Sequence, residues 1–442
     1  MGDAPQHLTA DGYLGRYEAA AARDPAYGPA LLAGWLRSEW RPLFAELRVR
    51  RPILRTPAFT LVTRYPDVTE VLRNGDVFTV DGYASRLDPA LGGPVMLTRD
   101  GTPMNWREKG LMQVMLPPED VPRVRELVAR TAGRALDAAV PRGRIDAVGE
   151  LFRPVCTAVC AEYFGFPVPD PAAPARWSRA IMTDVTANLT GDPEVHAASL
   201  AAGREMMDHL RGALDARRAG GAPGGAPGGA SGGGDVFARM LGTVLPGTPA
   251  WDDERILVNV AGMLLGFLEN AVGSMTHLVR QLLLRPEIHR AAVLAADEPD
   301  TAAFDGHVWE ALRFDPFLKI ITRVCVRDHV LAAGTPRATT VPAGTLVLAA
   351  VASAMFDETA VPEPGLFRPD RPPHTRLHFG HGPHACVGVH PGAAVITETV
   401  RRLLPRPGLR LLDPPDGVVA RDRDVFPDRF WLGLGDESGS AR

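Results

Sequence analysis

The longest run of helical spacing covers residues 252–284, and it constrains the fold more than any other feature. Apolar residues recur there at intervals of three and four until Pro286 stops the helix. At 1.5 Å per residue a helix of this length is about 50 Å long. We therefore expect one helix that is long enough to cross a large domain.

Helices dominate the remaining chain, and strands are few. The apolar spacing predicts further helices over residues 65–73, 120–140, 144–164, 174–189, 193–218, 305–314 and 388–404. Short extended runs lie within residues 53–64, 321–330 and 345–352. Residues 82–101 are rich in Gly, Pro and Asp and predict a long loop. The predicted fold class is mostly α with a small β region.

Composition excludes several classes of protein. The 442 residues are 45% hydrophobic and 23% charged, as in ordinary globular proteins, and the net charge of -4 favours neither nucleic acid nor an anionic membrane. No uncharged apolar run of 18 residues predicts a membrane span, and the first residues do not resemble a signal peptide. Four cysteines are too few for a disulfide scaffold, so we expect a cytoplasmic protein.

The segment Phe379–Gly388, with the sequence FGHGPHACVG, carries the strongest chemical signal. Gly380 and Gly388 let the backbone turn tightly and approach a flat ligand. Cys386 stands just before a predicted helix, whose N-terminal dipole and free N–H groups stabilise a thiolate. A thiolate bound to iron favours cleavage of an O–O bond. The alternative is a buried free cysteine in a glycine turn, while the C-x-x-C-H motif and the ligand spacing of a zinc site are absent.

These residues resemble the cysteine loop of the cytochrome P-450 family. The resemblance implies that Cys386 is the axial ligand of haem b, that His384 donates to a haem propionate, and that Phe379 packs near the sulfur. It covers about residues 30–430 and implies the cytochrome P-450 fold.

The E-x-x-R motif of the same family matches Glu310 and Arg313, which the resemblance makes a structural ion pair on one helix face. Arg323 looks like the family's propionate-binding arginine. Leu366 stands where many relatives carry the arginine that completes the ion-pair triad, although Arg371 matches the following F-x-P-x-R run. The third member of the triad therefore stays open.

The oxygen-activation stretch of the long helix departs from the family pattern. Gly266–Asn270 aligns with A/G-G-x-D/E-T, so Glu269 keeps the acid while Asn270 replaces the threonine and Phe267 replaces a glycine. The threonine helps to deliver protons, and an amide titrates poorly. We expect Glu269 and Asn270 to be catalytic, with Gly266 and Phe267 beside the substrate. The alternative is that Asn270 is a tolerated variant and that water carries the protons.

Two other segments also depart from the family or carry unusual residues. Trp106 fits the first position of H/W-x-x-x-R, but Gly110 replaces the arginine, so Trp106 with Arg107 or Lys109 is expected to reach a propionate. Lys319 and Ile320 lie in a segment that lines the substrate pocket in this family. A lysine there would meet a substrate carboxylate or face the solvent.

The resemblance implies a monooxygenase of specialised metabolism that acts on a small, largely apolar metabolite and receives electrons from a separate ferredoxin. We expect a monomer formed by one catalytic domain over residues 1–442, in which the glycine-rich segment 220–234 is a flexible loop. A redox-neutral or peroxide-using rearrangement is an alternative because of Asn270. A haem-binding sensor or carrier is an alternative of another class.

Overall fold

A computed structural model describes residues 12–24, 27–188, 191–220, 234–245, 248–249, 251–421 and 425–435. The predicted glycine-rich loop lies outside the described residues, apart from its two ends. The chain divides into two compact units. The sheet unit comprises Met1–Gly82, Leu318–Phe367 and Pro372–Ala385, and the helical unit comprises Tyr83–Phe317, Arg368–Arg371 and Cys386–Arg442. The single catalytic domain stays a prediction.

The α-helices, in chain order, are α1 (Tyr13–Arg23), α2 (Tyr27–Ser38), α3 (Trp40–Arg50), α4 (Tyr65–Arg73), α5 (Ala84–Leu91), α6 (Pro103–Met115), α7 (Val121–Ala139), α8 (Arg153–Val159), α9 (Ala173–Thr186), α10 (Pro193–Ala219), α11 (Val236–Gly242), α12 (Asp253–Leu283), α13 (Pro286–Ala296), α14 (Ala302–Phe314), α15 (Val351–Ala354) and α16 (Val389–Leu403). The strands are β1 (Ile53–Arg55), β2 (Thr60–Val62), β3 (Phe78–Thr79), β4 (Arg144–Asp146), β5 (Val244–Leu245), β6 (Thr248–Pro249), β7 (Ile321–Cys325), β8 (His329–Leu331), β9 (Thr339–Val341), β10 (Leu346–Ala349), β11 (Arg410–Leu411) and β12 (Trp431–Gly433). The described residues are mostly helical with small sheets, as predicted.

The sheet unit is built around a five-stranded sheet in the order β1-β2-β10-β7-β3. Strands β2 and β10 pair in parallel, and the other neighbours pair antiparallel. The turn between β1 and β2 is closed by Thr56, whose hydroxyl donates to the carbonyl of Phe59 over 2.8 Å. Apolar side chains of the strands and of α4 form one buried cluster that includes Val62, Phe78 and Val347.

The helical unit is organised around α12, which packs against α8, α9, α10, α14 and α16. Its N-terminus is capped by Asp252, whose carboxylate accepts from the backbone N–H of Arg255 over 2.7 Å. By length and composition alone α12 could cross a membrane, but 78% of its most apolar window is buried inside the protein. That degree of burial is typical of a core helix. Strands β4, β11 and β12 form a small antiparallel sheet in the same unit.

The prediction of a long loop over residues 82–101 is wrong in part, because α5 forms there. Gly92 ends this helix in the left-handed conformation with φ of 72°. Asp88 then accepts hydrogen bonds from the hydroxyl of Thr98 and from the guanidinium of Arg99. The composition favours turns, and these side-chain contacts together with packing against α10 stabilise the helix.

The single helix predicted over residues 144–164 is also wrong in part. Its first residues form β4, which pairs with β12 near the C-terminus, and π-helical turns at Ala147–Phe152 and Cys160–Phe164 flank the short helix α8. Pairing with a strand that lies far away in the sequence overrides the local helical spacing here.

A close approach between α10 and α5 gives a test of this packing. A Cβ at Gly203 would overlap the carbonyl oxygen of Ala90, whereas a Cβ at Gly212 on the same helix meets nothing within 4 Å. We expect Gly203→Ala to destabilise the protein by about 1–3 kcal/mol through overpacking. Gly212→Ala should stabilise it by about 0.5–1 kcal/mol through helix propensity. Urea unfolding measures both, and equal effects would contradict the packing.

Candidate functional site

The ion pair predicted by E-x-x-R lies on α14 and is completely buried. Glu310 accepts from Arg313 Nε and Nη2 over 2.9 and 2.7 Å, and both side chains are 0% exposed. The same carboxylate accepts from Arg371 Nε over 3.0 Å and from the backbone N–H of Arg368 over 2.9 Å. Arg371 therefore takes the third place that Leu366 leaves open.

The electrostatics of Glu310 follow from these contacts. Burial alone would raise the pKa of the Glu310 carboxyl, but the hydrogen bonds and charges of Arg313, followed by those of residues 368 and 371, lower this pKa below its ordinary value. The carboxylate consequently stays ionised and ties residues 368–371 to α14. Gly306 allows this approach, since a Cβ there would lie 2.5 Å from the carbonyl oxygen of Pro369.

Two glycines of the cysteine loop lie in the sheet unit, where they allow turns with positive φ and a close approach to α4. Gly380 and Gly382 both adopt positive φ, 73° and 72°. A Cβ at Gly382 would lie 2.5 Å from the carbonyl oxygen of Leu72, so only glycine lets the loop approach α4 this closely. Phe379 precedes these turns, and His384 ends a 3₁₀ turn over Gly382–His384; both side chains are half-buried.

Cys386 is distinct among the four cysteines. Cys156, Cys160 and Cys325 are buried, whereas Cys386 is exposed. Gly388 is the N-cap residue of α16, and its backbone N–H donates to the Cys386 sulfur. The surrounding protein still desolvates the sulfur and raises the pKa of the Cys386 thiol, while the Gly388 N–H and the Lys109 charge act in the opposite direction.

Helix α6 carries the three residues that the sequence proposes for a propionate. Trp106 is 65% exposed and Arg107 is exposed, while Lys109 is half-buried. Burial lowers the pKa of the Lys109 ammonium, and the charge of Cys386 raises it in part. Among the three, Lys109 is the residue whose charge affects the pKa of the Cys386 thiol.

Sequence analysis did not identify the contact that orients α6. Glu108 is buried and accepts from Arg255 Nε and Nη2 over 2.6 and 2.7 Å, and from Asn259 Nδ2 over 2.8 Å. This bidentate pair fixes α6 against α12. The only sequence signal is an acidic residue on the apolar side of the helix, between two basic ones.

The predicted catalytic residues lie on different faces of α12. Glu269 is 1% exposed, and its Oε1 lies 3.5 Å from Arg153 Nε of α8. The Asn270 amide donates to the carbonyl of Gly266 over 2.9 Å, one turn earlier on the same face. The Phe267 ring meets Phe164 edge-on at 5.3 Å and so lies on yet another face.

Three predicted residues belong to the sheet unit around β7. Arg323 is 4% exposed, and its Nη1 donates to the carbonyl of Thr322 over 2.8 Å. Lys319 and Ile320 are half-buried just before the strand. The Lys319 ammonium lies 5.8 Å from the centre of the Trp40 ring, a cation–π contact that provides one partner for the charge.

The buried triad gives a test that needs no ligand. We expect Glu310→Gln to cost about 3–5 kcal/mol of unfolding free energy, because two buried arginines lose their counter-charge. Since the pKa of Glu310 is lowered, this stabilisation is present above the ordinary glutamate pKa and is lost as pH falls through the lowered value. Urea unfolding at several pH values measures it.

The matched control for that measurement is Asp370→Asn. Asp370 pairs with Arg368 over 3.3 Å at the exposed surface of the same segment. Exposed ion pairs contribute little, so the control should unfold like the parent protein. An equal loss in both variants would contradict a special role for the buried carboxylate.

Known proteins resemble the chain in sequence and fold. The family model for cytochrome P-450 matches residues 303–391, which include the buried ion pair and the cysteine loop. The cyclomarin C epoxidase CymV of Salinispora arenicola is 28% identical over 373 residues, which cover 82% of this chain and 86% of that protein. The mycinamicin IV hydroxylase/epoxidase of Micromonospora griseorubida is 28% identical over 395 residues, covering 83% and 88%.

The crystal structure of CalO2 shares the fold with a TM-score of 0.75 at 24% identity, covering 91% of this chain and 97% of that one. This confirms the predicted fold. The family match lies on the segment that holds the Glu310 triad and Cys386, and the relatives extend over most of the chain. The chain therefore belongs to the cytochrome P-450 family of haem-thiolate oxidoreductases.

Proposed function

We propose that the chain is an oxygen-activating monooxygenase that holds haem b through Cys386. The observation that carries the proposal is the environment of this residue. Among the four cysteines Cys386 is the exposed one, it directly precedes α16, and its sulfur accepts a backbone hydrogen bond from Gly388. The haem of this family, bound through a thiolate, supplies the activation of dioxygen.

The residues present fit this cofactor. The helical unit offers the thiol of Cys386 and the half-buried cation of Lys109. The sheet unit offers the buried cation of Arg323. Gly380 turns the loop with positive φ, and a backbone without a side chain at this turn suits the close approach of a flat ring.

The propionate partners follow from burial and charge. We assign Arg323 and His384 to the propionates, as the family resemblance implies, because a guanidinium and an imidazole both donate hydrogen bonds to carboxylates. On α6 we assign this role to Lys109 in preference to Arg107, since Lys109 is half-buried whereas Arg107 is exposed. Trp106 lies on the same helix and would contact the ring edge.

Glu269 is the group that holds a proton or a water on the route to the reaction site. Its burial and its contact with Arg153 keep the carboxylate oriented toward α8. Asn270 supplies an amide on the neighbouring face, where its Nδ2 is held by the carbonyl of Gly266. We propose that Asn270 positions oxygen atoms by hydrogen bonding and does not itself relay protons.

The substrate proposed is a small, largely apolar metabolite of specialised metabolism. The printed names of the relatives, an epoxidase for cyclomarin C and a hydroxylase/epoxidase for mycinamicin IV, support this class. Bacterial enzymes of this family use small-molecule substrates and separate redox partners. We propose that the electron donor is a separate protein of the ferredoxin type. We also propose that this chain is a monomer in the cytoplasm and has no nucleic-acid or membrane partner. Gly266, Phe267, Lys319 and Ile320 are proposed to contact the substrate.

Replacement of the ligand tests the proposal directly. The reduced protein with bound carbon monoxide should absorb at the red-shifted position that gives the family its name. Cys386→Ala should abolish this band, because no other exposed thiol is available among the described cysteines. Cys156→Ala and Cys160→Ala are the matched controls and should retain it. Retention of the band in Cys386→Ala would overturn the assignment.

A second test separates monooxygenation from a rearrangement. A threonine at position 270 would bond to the carbonyl one turn earlier, as Thr276 does to Val272 over 2.8 Å, so the fold should tolerate Asn270→Thr. Turnover with ferredoxin should be kept or increased in this variant. Glu269→Gln should slow turnover by about 10²-fold, the size of a lost proton-transfer step. Turnover is measured as the rate of product formation, and the product formed per electron consumed shows whether the two are coupled.

The outcomes distinguish the alternatives. Full turnover of a hydroperoxide without any reductant, together with damage by Asn270→Thr, would identify a redox-neutral rearrangement. Haem binding without any product formation, whichever oxidant is supplied, would identify a sensor or carrier.

A further inference from the structure

One face of α12 is open on the N-terminal side of Asn270. Gly262, Gly266 and Asn270 follow each other at intervals of four and therefore share this face. A Cβ at Gly262 or Gly266 would meet no described atom within 4 Å. The space beside Asn270 is consequently bounded on this side by bare helix backbone.

The same face is closed one turn further on, at Gly273. A Cβ at this position would overlap two atoms of the Phe317 ring and would lie 2.7 Å from its Cζ. The ring therefore lies directly against the helix backbone, in the volume that any other residue at position 273 would fill. Gly273 is buried, and Phe317 is half-buried.

The Phe317 ring is held on its other sides. His277, the next residue on this face toward the C-terminus, meets the ring edge-on at 5.6 Å with an interplanar angle of 87°. Phe426 lies 5.9 Å from the ring with an angle of 40°.

His277 is itself fixed by two charged groups. Its Nδ1 lies 3.2 Å from Asp315 Oδ2, and Arg421 Nη2 lies 2.8 Å from its Nε2. His277 therefore blocks movement of the Phe317 ring along α12 away from Asn270, and Phe426 packs against the same ring.

We infer that Gly273 is a specificity-determining residue, because it lets the Phe317 ring lie against α12 and so keeps that ring out of the space beside Asn270. The inference rests on the proposed function, in which Asn270 faces the reacting part of the substrate. The chemical class that benefits is a substrate whose apolar bulk exceeds one small ring next to the reacting atom.

The effect of a methyl group at position 273 follows from this geometry. The Phe317 ring must leave the helix backbone, and His277 and Phe426 block two directions. A direction that stays open leads along the same face of α12 toward Asn270, since a Cβ at Gly266 would meet nothing within 4 Å. The displaced ring would then exclude bulky ligands while leaving small ones unaffected.

Two azoles that bind the haem iron measure this space in the holoenzyme. Imidazole is small, and 4-phenylimidazole adds one apolar ring; their dissociation constants are read from absorbance changes. In Gly273→Ala we expect 4-phenylimidazole to bind about tenfold more weakly, a factor that corresponds to about 1.4 kcal/mol, with imidazole changed less than about twofold. Gly212→Ala, a helical glycine with open surroundings, is the control and should change neither.

Removal of the ring should restore binding. In Gly273→Ala combined with Phe317→Ala, the affinity for 4-phenylimidazole should return to the parent value or exceed it. If Gly273→Ala does not take up haem, the double variant should take it up and bind both azoles as the parent does, because the ring that the new methyl group displaces is then absent.

The contrary outcomes are distinct. Equal weakening of both azoles, or no recovery in the double variant, would overturn the role of Gly273 and leave the proposed function intact. A parent protein that binds haem without a thiolate spectrum would overturn the proposed function, and this inference with it.

Discussion

Burial of α12 is the constraint on which the helical unit depends. A helix of 31 residues with so apolar a surface is stable in water only if other elements of the protein cover it. Helices α8, α9, α10, α14 and α16 provide that cover. At about 25 cal/mol per Å² of apolar surface, burial of the many apolar side chains of α12 outweighs any single polar contact of the unit. Two of the residues proposed to face the substrate, Gly266 and Asn270, lie where this cover is interrupted.

Buried polar contacts fix the orientation of the segments that pack against these helices. Glu108 holds α6 against α12 through Arg255, and Glu310 holds residues 368–371 against α14 through Arg371. Both carboxylates are buried and both accept several charge-assisted hydrogen bonds. Such pairs contribute less to net stability than apolar packing does, but removal of one partner is costly because a buried charge remains. They therefore specify one arrangement of the segments that carry the proposed site.

The sequence predicts best what is local. The long helix differs from its predicted bounds by one residue at each end, since Asp252 caps it and the proline stops it. At the start of α4, by contrast, Asp67 is paired with the distant Arg337, and Asp357 accepts from the backbone N–H of Tyr65. The third partner of Glu310 lies 61 residues away in the chain and could not be derived from spacing. The partners of Asp67 and Glu310 are thus set by tertiary contacts, which local sequence patterns do not reveal.

We propose that Cys386 binds the haem iron as a thiolate. X-ray absorption at the iron edge of the purified ferric holoenzyme can identify this bond, because sulfur and nitrogen scatter at distinguishable distances. We expect one sulfur neighbour of iron in the parent protein and in Cys325→Ser, and its loss in Cys386→Ser. A first shell of nitrogen and oxygen alone in the parent protein, or a sulfur neighbour that persists without Cys386, would contradict it.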